Sequence, residues 1–183
     1  MMKMIAVAVM GLFLSIPHLA FAQGVENFTL EAIVQDSKTQ LDSKFELKDH
    51  KGKTVVLHFL LKTECPYCLK YTNQYSQLAA TTPDVVHLFI KPDSEQEIRA
   101  WAKKLVKSEG IKPPTIYRDA GAKLAKRFGI PGGYQFHGQS VHYPALIVLD
   151  GEGKEMFRYI GKSNSDRMPK DDFVKKLESM TKK

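Results

Sequence analysis

Apolar residues recur along this chain in two alternating rhythms. Phe28 to Val34 alternates apolar and polar side chains, which predicts a half-buried strand, and Lys44 to Leu47 predicts a second short one. His50-Lys51-Gly52-Lys53 reads as a turn. Thr54 to Leu61 (TVVLHFLL) is almost wholly apolar with β-branched residues at its start, the pattern of a central strand buried on both faces. From Pro66 the rhythm becomes helical, with Leu69, Tyr71, Tyr75, Leu78 and Ala79 at mixed three- and four-residue steps, until Pro83-Asp84 stops it. Val85 to Ile90 is another buried strand. Ser94, with Glu97 three residues on, predicts a capping box. It opens a helix carrying Ile98, Trp101, Leu105 and Val106 on one side and ending at Gly110. Thr115 to Tyr117 reads as a short strand, Ala120 to Phe128 as a short helix ending at Gly129, and Ile130 to His142 as a loop. Ala145 to Leu149, the turn Asp150-Gly151-Glu152-Gly153 and Glu155 to Ile160 make a β-hairpin. Asp171 to Met180 closes the chain as an amphipathic helix through Phe173, Val174 and Leu177. Strands alternating with helices predict an α/β fold, and the hairpin makes its central sheet mixed.

The N-terminus follows neither rhythm. Lys3 is the one charge before an apolar run from Met4 to Ile16, Pro17 breaks that run, and Ala20-Phe21-Ala22 puts small residues at a cleavage site before Gln23. At about 13 residues the run falls short of the roughly 20 that span a bilayer. Residues 1–22 are therefore expected to be a signal peptide cleaved after Ala22, and residues 23–183 one domain in the periplasm of a bacterium. An uncleaved N-terminal anchor is the alternative. No cysteine lies near the cleavage site to take a lipid.

Composition narrows the class. Of 183 residues 43% are hydrophobic and 26% charged, which excludes a disordered or low-complexity chain. The net charge of +7 is spread over small clusters (Lys103-Lys104, Lys175-Lys176, Lys182-Lys183), as on a solvated surface. Aromatic and basic residues do not interleave in the way that stacks nucleobases, so no nucleic-acid partner is expected. His58 and His87, in apolar strands, read as core or sheet-face residues, and Trp101 as the side chain that packs its helix on the sheet.

The chain has two cysteines, in Cys65-Pro66-Tyr67-Cys68, where a buried strand ends and a helix begins. Proline is favoured in the first helical turn, where the N–H it lacks would have no partner. Cys65 then sits at or just before the N-cap, facing unpaired N–H groups and the positive end of the helix dipole. Such a site stabilises thiolate, so the Cys65 pKa is expected below the free value of about 8.5. Cys68, one turn on, shares its face. Cys65 is assigned as the exposed attacking thiol and Cys68 as the partly buried resolving thiol, a dithiol pair in an oxidising compartment. Two other uses of the motif compete. A structural zinc site wants four ligands, and no further cysteine exists, His137 and His142 being the one close histidine pair. A purely structural disulfide would close a very short loop and constrain the unfolded chain little. No metal or cofactor is assigned. Tyr143-Pro144 opens the strand at Ala145, a candidate cis peptide or an ordinary trans proline at a strand start.

These residues resemble a known family. Gly52-Lys53-Thr54-Val55-Val56-Leu57 leading into the cysteine pair is similar to the redoxin group, the alkyl hydroperoxide reductase/thiol-specific antioxidant branch of the thioredoxin-like superfamily. Ala125 to Ile130 and the Pro144 to Asp150 stretch with Gly151 and Gly153 resemble its short helix and its hairpin. The resemblance implies a thioredoxin-like fold, a mixed central sheet flanked by helices, in which Pro144 is a cis-proline facing the cysteines. The backbone at Tyr143 would hold a substrate disulfide as an added strand, and Pro66, Tyr67, Tyr143 and Pro144 would line the substrate site. The tetrapeptide Cys65-Pro66-Tyr67-Cys68 is also typical of glutaredoxins, which are similar in that segment alone.

Two departures from the family patterns bear on chemistry. The buried aspartate that thioredoxins carry six residues before the first cysteine is here Phe59, which leaves Glu64, Lys62 and His142 as candidates to take the proton of Cys68. The proline and threonine of the peroxiredoxin pattern Pro-x-x-x-Thr-x-x-Cys are here His58 and Lys62, with Thr63 one residue off. The expected function is an exported thiol–disulfide oxidoreductase acting on protein or small-molecule thiols and disulfides, recharged by a redox partner protein, and monomeric. A peroxiredoxin-like antioxidant peroxidase with Cys65 as peroxidatic thiol, needing an arginine such as Arg127 or Arg158 beside the sulfur, is the alternative. A copper chaperone using Cys65, Cys68 and His142 is a third.

Overall fold

Patterning that alternates between two and 3.6 residues becomes alternating strands and helices in a computed structural model, which describes residues 24–34, 43–62, 65–136 and 138–181. The chain runs through β1 (Thr29–Val34), β2 (Lys44–Glu46), β3 (Thr54–Phe59), α1 (Pro66–Thr81), β4 (Val85–Lys91), α2 (Glu95–Glu109), β5 (Ile116–Arg118) and α3 (Lys123–Arg127). It continues through β6 (Tyr134–Phe136), β7 (Gln139–Val141), β8 (Ala145–Leu149), β9 (Glu155–Ile160) and α4 (Lys170–Thr181). The segment Met1 to Ala22 lies outside the described residues. No helix among those described is long and apolar enough to cross a membrane.

A seven-stranded sheet in the order β2-β1-β5-β4-β3-β8-β9 forms the middle layer. Strands β3, β4 and β5 are parallel, and β1, β2, β8 and β9 join antiparallel, so the sheet is mixed as expected. Residues 130–142, expected to be loop, contain the small β6–β7 hairpin. Its three-residue strands are too short to show a period in the sequence.

Each face of the sheet has its own apolar layer. Phe28, Phe45, Leu124 and Phe128 pack on Val55, Leu57, Phe59 and Ile147 on one side. Tyr75, Trp101, Leu105 and Phe173, from α1, α2 and α4, pack on Val56, Phe89 and Val148 on the other. The Ser94 capping box forms, and Trp101 is fully buried, as expected. The register brings the C-terminal end of β3 level with the start of β8 and the end of β9, since Phe59 pairs with Ala145 and Ala145 with Ile160. Whatever follows β3 is therefore covered by whatever follows β9.

His58 and His87 are buried on the α1 side of β3 and β4, the imidazole of His58 stacked on Phe89. Burial holds the His87 imidazole down at about 4, and burial and His87 hold His58 well below 6.5. In the unfolded chain both titrate near 6.5. As pH falls from there the unfolded state takes up protons first, so stability is full above about pH 6.5 and is lost on the way down to about 4. His87 alone accounts for a loss on the order of 3 kcal/mol over that window. Urea midpoints measured across it should fall steeply, and less steeply in His87→Phe. Identical slopes in the two proteins would contradict the assignment.

Candidate active site

Cys65 caps α1. Its backbone is extended, its Sγ accepts the N–H of Cys68 at 3.1 Å, and Pro66 takes the first helical position. The helix starts where the local sequence places it. Cys68 follows one turn later on the inner face, and both cysteines are reduced.

The expectation that Cys65 is exposed is corrected: Cys65 is 1% and Cys68 0% exposed. Their cover is the segment after β9, brought there by the strand register. Asn164 Oδ1 lies 2.7 Å from Cys65 Sγ. Arg167 Nη2 donates to Cys65 Sγ at 3.5 Å and to Cys68 Sγ at 3.3 Å. Several contacts hold this segment. Asp166 accepts from the Tyr159 hydroxyl and, at 2.8 Å, from the Lys162 N–H. Tyr134 of β6 accepts the Asn164 N–H at 2.9 Å. Gly161 permits the close approach, because a Cβ there would meet the Asp166 carbonyl oxygen at 2.1 Å and Pro144 Cγ at 2.9 Å.

The charge distribution differs from the expectation, for a reason the geometry supplies. The helix N–H on Cys65 is present and lowers its pKa as argued, but two acceptors flank the thiol, the Cys68 sulfur and Asn164 Oδ1. The hydrogen bond to Cys68, burial and the negative charge on Cys68 push the Cys65 thiol up. For Cys68, burial opposes ionisation. The hydrogen bond from Cys65 and the cations Lys91 and Arg167 outweigh it and pull that thiol down to about 6. Ionisation of the reduced pair thus favours Cys68 over Cys65.

Lys91 is fully buried. Its Nζ donates to the Leu61 carbonyl, stands 3.3 Å from Asp93 and lies 4.7 Å over the Trp101 ring. Arg167 places its Nη2 on the two sulfurs, so the thiolate is the anion that it meets. Neither residue stands out in the sequence. Lys91 looks like the polar end of a strand, and Arg167 sits in an aperiodic run next to the last helix.

The remaining expected site residues fall as follows. Tyr67 is half exposed on the outer face of α1. Tyr143 packs its ring on Tyr134 at 5.3 Å between centroids. Pro144 shares a small cavity with Phe59, Tyr71 and Arg167. No cis peptide exists among the described residues, so Tyr143-Pro144 is trans, correcting the cis bond that the family resemblance implied. The trans form is the lower-energy one for X–Pro bonds, and Pro144 already runs in line with β8, its carbonyl accepting the Gly161 N–H at 2.8 Å. The Tyr143 backbone is engaged within the chain, its N–H on the Pro131 carbonyl at 2.9 Å and its carbonyl on His142 Nδ1 at 2.7 Å. A substrate strand can pair there only by opening those bonds. Arg127 pairs with Glu26 and Arg158 with Glu155, so the arginine at the sulfurs is neither of the two candidates but Arg167. Of the candidate proton acceptors, Glu64 lies outside the described residues, and His142 is turned to its own neighbour's carbonyl. Among the described residues no group of three or more His, Cys, Asp or Glu is disposed to hold a metal ion.

Removing the guanidinium removes a charge in contact with both sulfurs. In Arg167→Met the thiolate absorbance of the reduced protein should titrate roughly one to three pH units higher than the native value of about 6. An unmoved titration curve would show that Arg167 does not hold the charge.

Known proteins resemble this chain in sequence and in fold. The AhpC/TSA family model matches residues 22–155. Peroxiredoxin Q of Triticum aestivum chloroplasts is 35% identical over 109 residues, 57% of this chain and 44% of that protein, so the match spans less than half of the relative's length. Among solved structures, a cysteine-to-serine mutant of the peroxiredoxin 6 of Arenicola marina superposes with a TM-score of 0.71 at 14% identity, over 87% of this chain and 72% of that one. A secreted disulfide oxidoreductase of Mycobacterium tuberculosis superposes at 0.58 and 20% identity, over 83% of this chain and 95% of that one. The fold is thioredoxin-like, and with a family model that covers most of its length and a cysteine pair capping α1, the chain belongs to the AhpC/TSA, or redoxin, family of thiol oxidoreductases.

Proposed function

We infer that this protein is an exported thiol–disulfide oxidoreductase that cycles Cys65 and Cys68 between dithiol and disulfide. The observation that carries the reading is that Cys65 caps α1 one turn before Cys68 and a single guanidinium donates to both sulfurs, with the Cys68 thiol pulled towards its thiolate. That state is primed for the first step. As Cys65 attacks a client disulfide, its proton passes to the Cys68 thiolate beside it. The products are a Cys65–client mixed disulfide, one client thiolate and a Cys68 thiol. Loss of the Cys68 proton then lets that sulfur attack Cys65, close the protein disulfide and expel the second client thiolate. Electrons flow to the client here, and the reverse sequence oxidises it.

The signal-like pattern of Met1 to Ala22 supports export to the periplasm, where a redox partner protein would recharge the pair. Because the sulfurs are covered, a client reaches Cys65 only when the segment carrying Asn164 and Arg167 moves aside.

A peroxidase reading has one observation in its favour, the Arg167 guanidinium 3.5 Å from Cys65 Sγ, placed to bind peroxide oxygens, and it fits the curated relatives. In it Cys65 reduces the peroxide to water and becomes a sulfenic acid, which condenses with Cys68 to the disulfide and a second water. The two readings separate kinetically. Insulin reduction should be catalysed by the native protein, abolished in Cys65→Ser and stalled as a trapped mixed disulfide in Cys68→Ser. Stopped-flow oxidation by hydrogen peroxide should be no faster than for a free thiol. Fast oxidation with no insulin activity would reverse the choice.

A further inference from the structure

The oxidoreductase cycle leaves a proton to dispose of. Once Cys65 is in a mixed disulfide, Cys68 holds a proton in a fully buried site whose outer side the client covers. Behind it, on the inner face of α1, a row of buried polar groups plays no part in binding the sulfurs. Tyr71, one turn beyond Cys68, lies 3.0 Å from His58 Nδ1 through its hydroxyl. His58 Nε2 lies 3.0 Å from His87 Nδ1. His87 Nε2 lies 3.3 Å from Thr82 Oγ1, a half-buried residue at the C-terminal end of α1. The parallel pairing of β3 with β4 sets His58 and His87 on the same face, so two strands and one helix build the row.

One contact fixes its polarity. Thr82 Oγ1 lies 2.9 Å from the Leu78 carbonyl, and a carbonyl can only accept, so the hydroxyl proton points there. Thr82 Oγ1 must then accept from His87, which places a proton on His87 Nε2 and leaves Nδ1 bare. His58 in turn donates from Nε2 and offers a bare Nδ1, to which the Tyr71 hydroxyl donates. Burial keeps both imidazoles neutral, so each has one donor and one acceptor as the scheme needs. Every hydrogen bond in the row thus runs from Tyr71, one turn beyond Cys68, towards the half-buried Thr82, whose own proton rests on the Leu78 carbonyl.

Resting on the oxidoreductase reading, we propose that Tyr71, His58, His87 and Thr82 form a proton exit that deprotonates Cys68 in the resolving step. The proton of Cys68 enters at the Tyr71 oxygen. Concerted shifts along the row pass one proton from Tyr71 to His58 Nδ1, one from His58 Nε2 to His87 Nδ1 and one from His87 Nε2 to Thr82, which releases one to water. The Cys68 thiolate so formed attacks the Cys65 sulfur, and the expelled client thiolate takes its proton from solvent. The rings facing His58 are Tyr71, Tyr75, His87 and Phe89, none of them charged. The row is thus a neutral path and not a buried acid or base.

A small aromatic disulfide that frees one coloured thiolate in the attack and a second in the resolution reads the two steps separately. The native full chain should show both phases, the second with a solvent deuterium isotope effect. His58→Phe and His87→Phe should keep the first phase and slow the second by about ten- to a hundredfold. Because the groups act in series, the double variant should be no slower than either single one. Thr82→Val, at the half-buried outlet, should also slow the second phase, and it serves as the probe should the core variants fail to fold. Second phases at the native rate in folded variants, or losses that multiply in the double variant, would overturn the exit. Absence of both phases in the native protein would instead overturn the oxidoreductase reading.

Discussion

A pair of buried sulfurs just beyond the C-terminal end of β3 governs this molecule. A thiolate in a dry site is costly unless cations and N–H groups surround it. Here the surroundings are the first turn of α1, the guanidinium of Arg167 and the ammonium of Lys91, which is itself buried and keeps its own partner, Asp93. The Cys65 sulfur donates to Asn164 Oδ1, accepts from the Cys68 N–H and shares the Arg167 guanidinium with the Cys68 sulfur, so the two thiols titrate as a pair rather than as independent groups. Removing either cation leaves the thiolate under-compensated, and the path from dithiol to disulfide is a path along which that balance is discharged.

The balance explains the cover. Arg167 reaches the sulfurs because β8 and β9 carry the chain back beside β3, so that Ile160 comes level with Phe59 by way of Ala145. The short turn anchored by Asp166 then drops Asn164 and Arg167 over Cys65. The segment that neutralises the sulfurs is thus the one that hides them. On the oxidoreductase reading, a client entering the site displaces the contacts of Asn164 and Arg167 with the sulfurs.

What can be read from the chain follows the distance over which each signal acts. The β3 run, the Pro66 helix start, the Ser94–Glu97 box and the Ala145 to Ile160 hairpin are encoded by neighbours in sequence, and each element lies within a residue or two of its expected place. The cysteine pair is legible for the same reason. Lys91, Asn164 and Arg167 are not, because nothing local distinguishes a buried lysine at a strand end or an arginine in an aperiodic turn from their solvated counterparts. Their role appears only when a register fixed by antiparallel and parallel pairings is known. The β6–β7 hairpin escapes the pattern because its three-residue strands carry no period. Ionisation favours the other sulfur from the one expected because the helix terminus, argued for Cys65 alone, acts on a pair, and Lys91 and Arg167 pull the Cys68 thiol down.

His58 shows the same limit from the other side. Read along the chain it is a polar interruption in an apolar strand, and it does lie in the core. Its meaning depends on His87, 29 residues on, which only the parallel pairing of β3 with β4 sets beside it. A buried imidazole with one partner is a satisfied core residue. Two imidazoles joined to a tyrosine at one end and a threonine at the other are an oriented series, because the carbonyl at the outlet admits one tautomer for every ring upstream. Phe59 stands six residues before Cys65, where the resemblance to thioredoxins would put an aspartate. On the oxidoreductase reading, a chain that lacks that carboxylate needs another group to take the proton of Cys68. The proposed row would do this through imidazoles that burial keeps neutral, adding no buried charge beside the sulfurs.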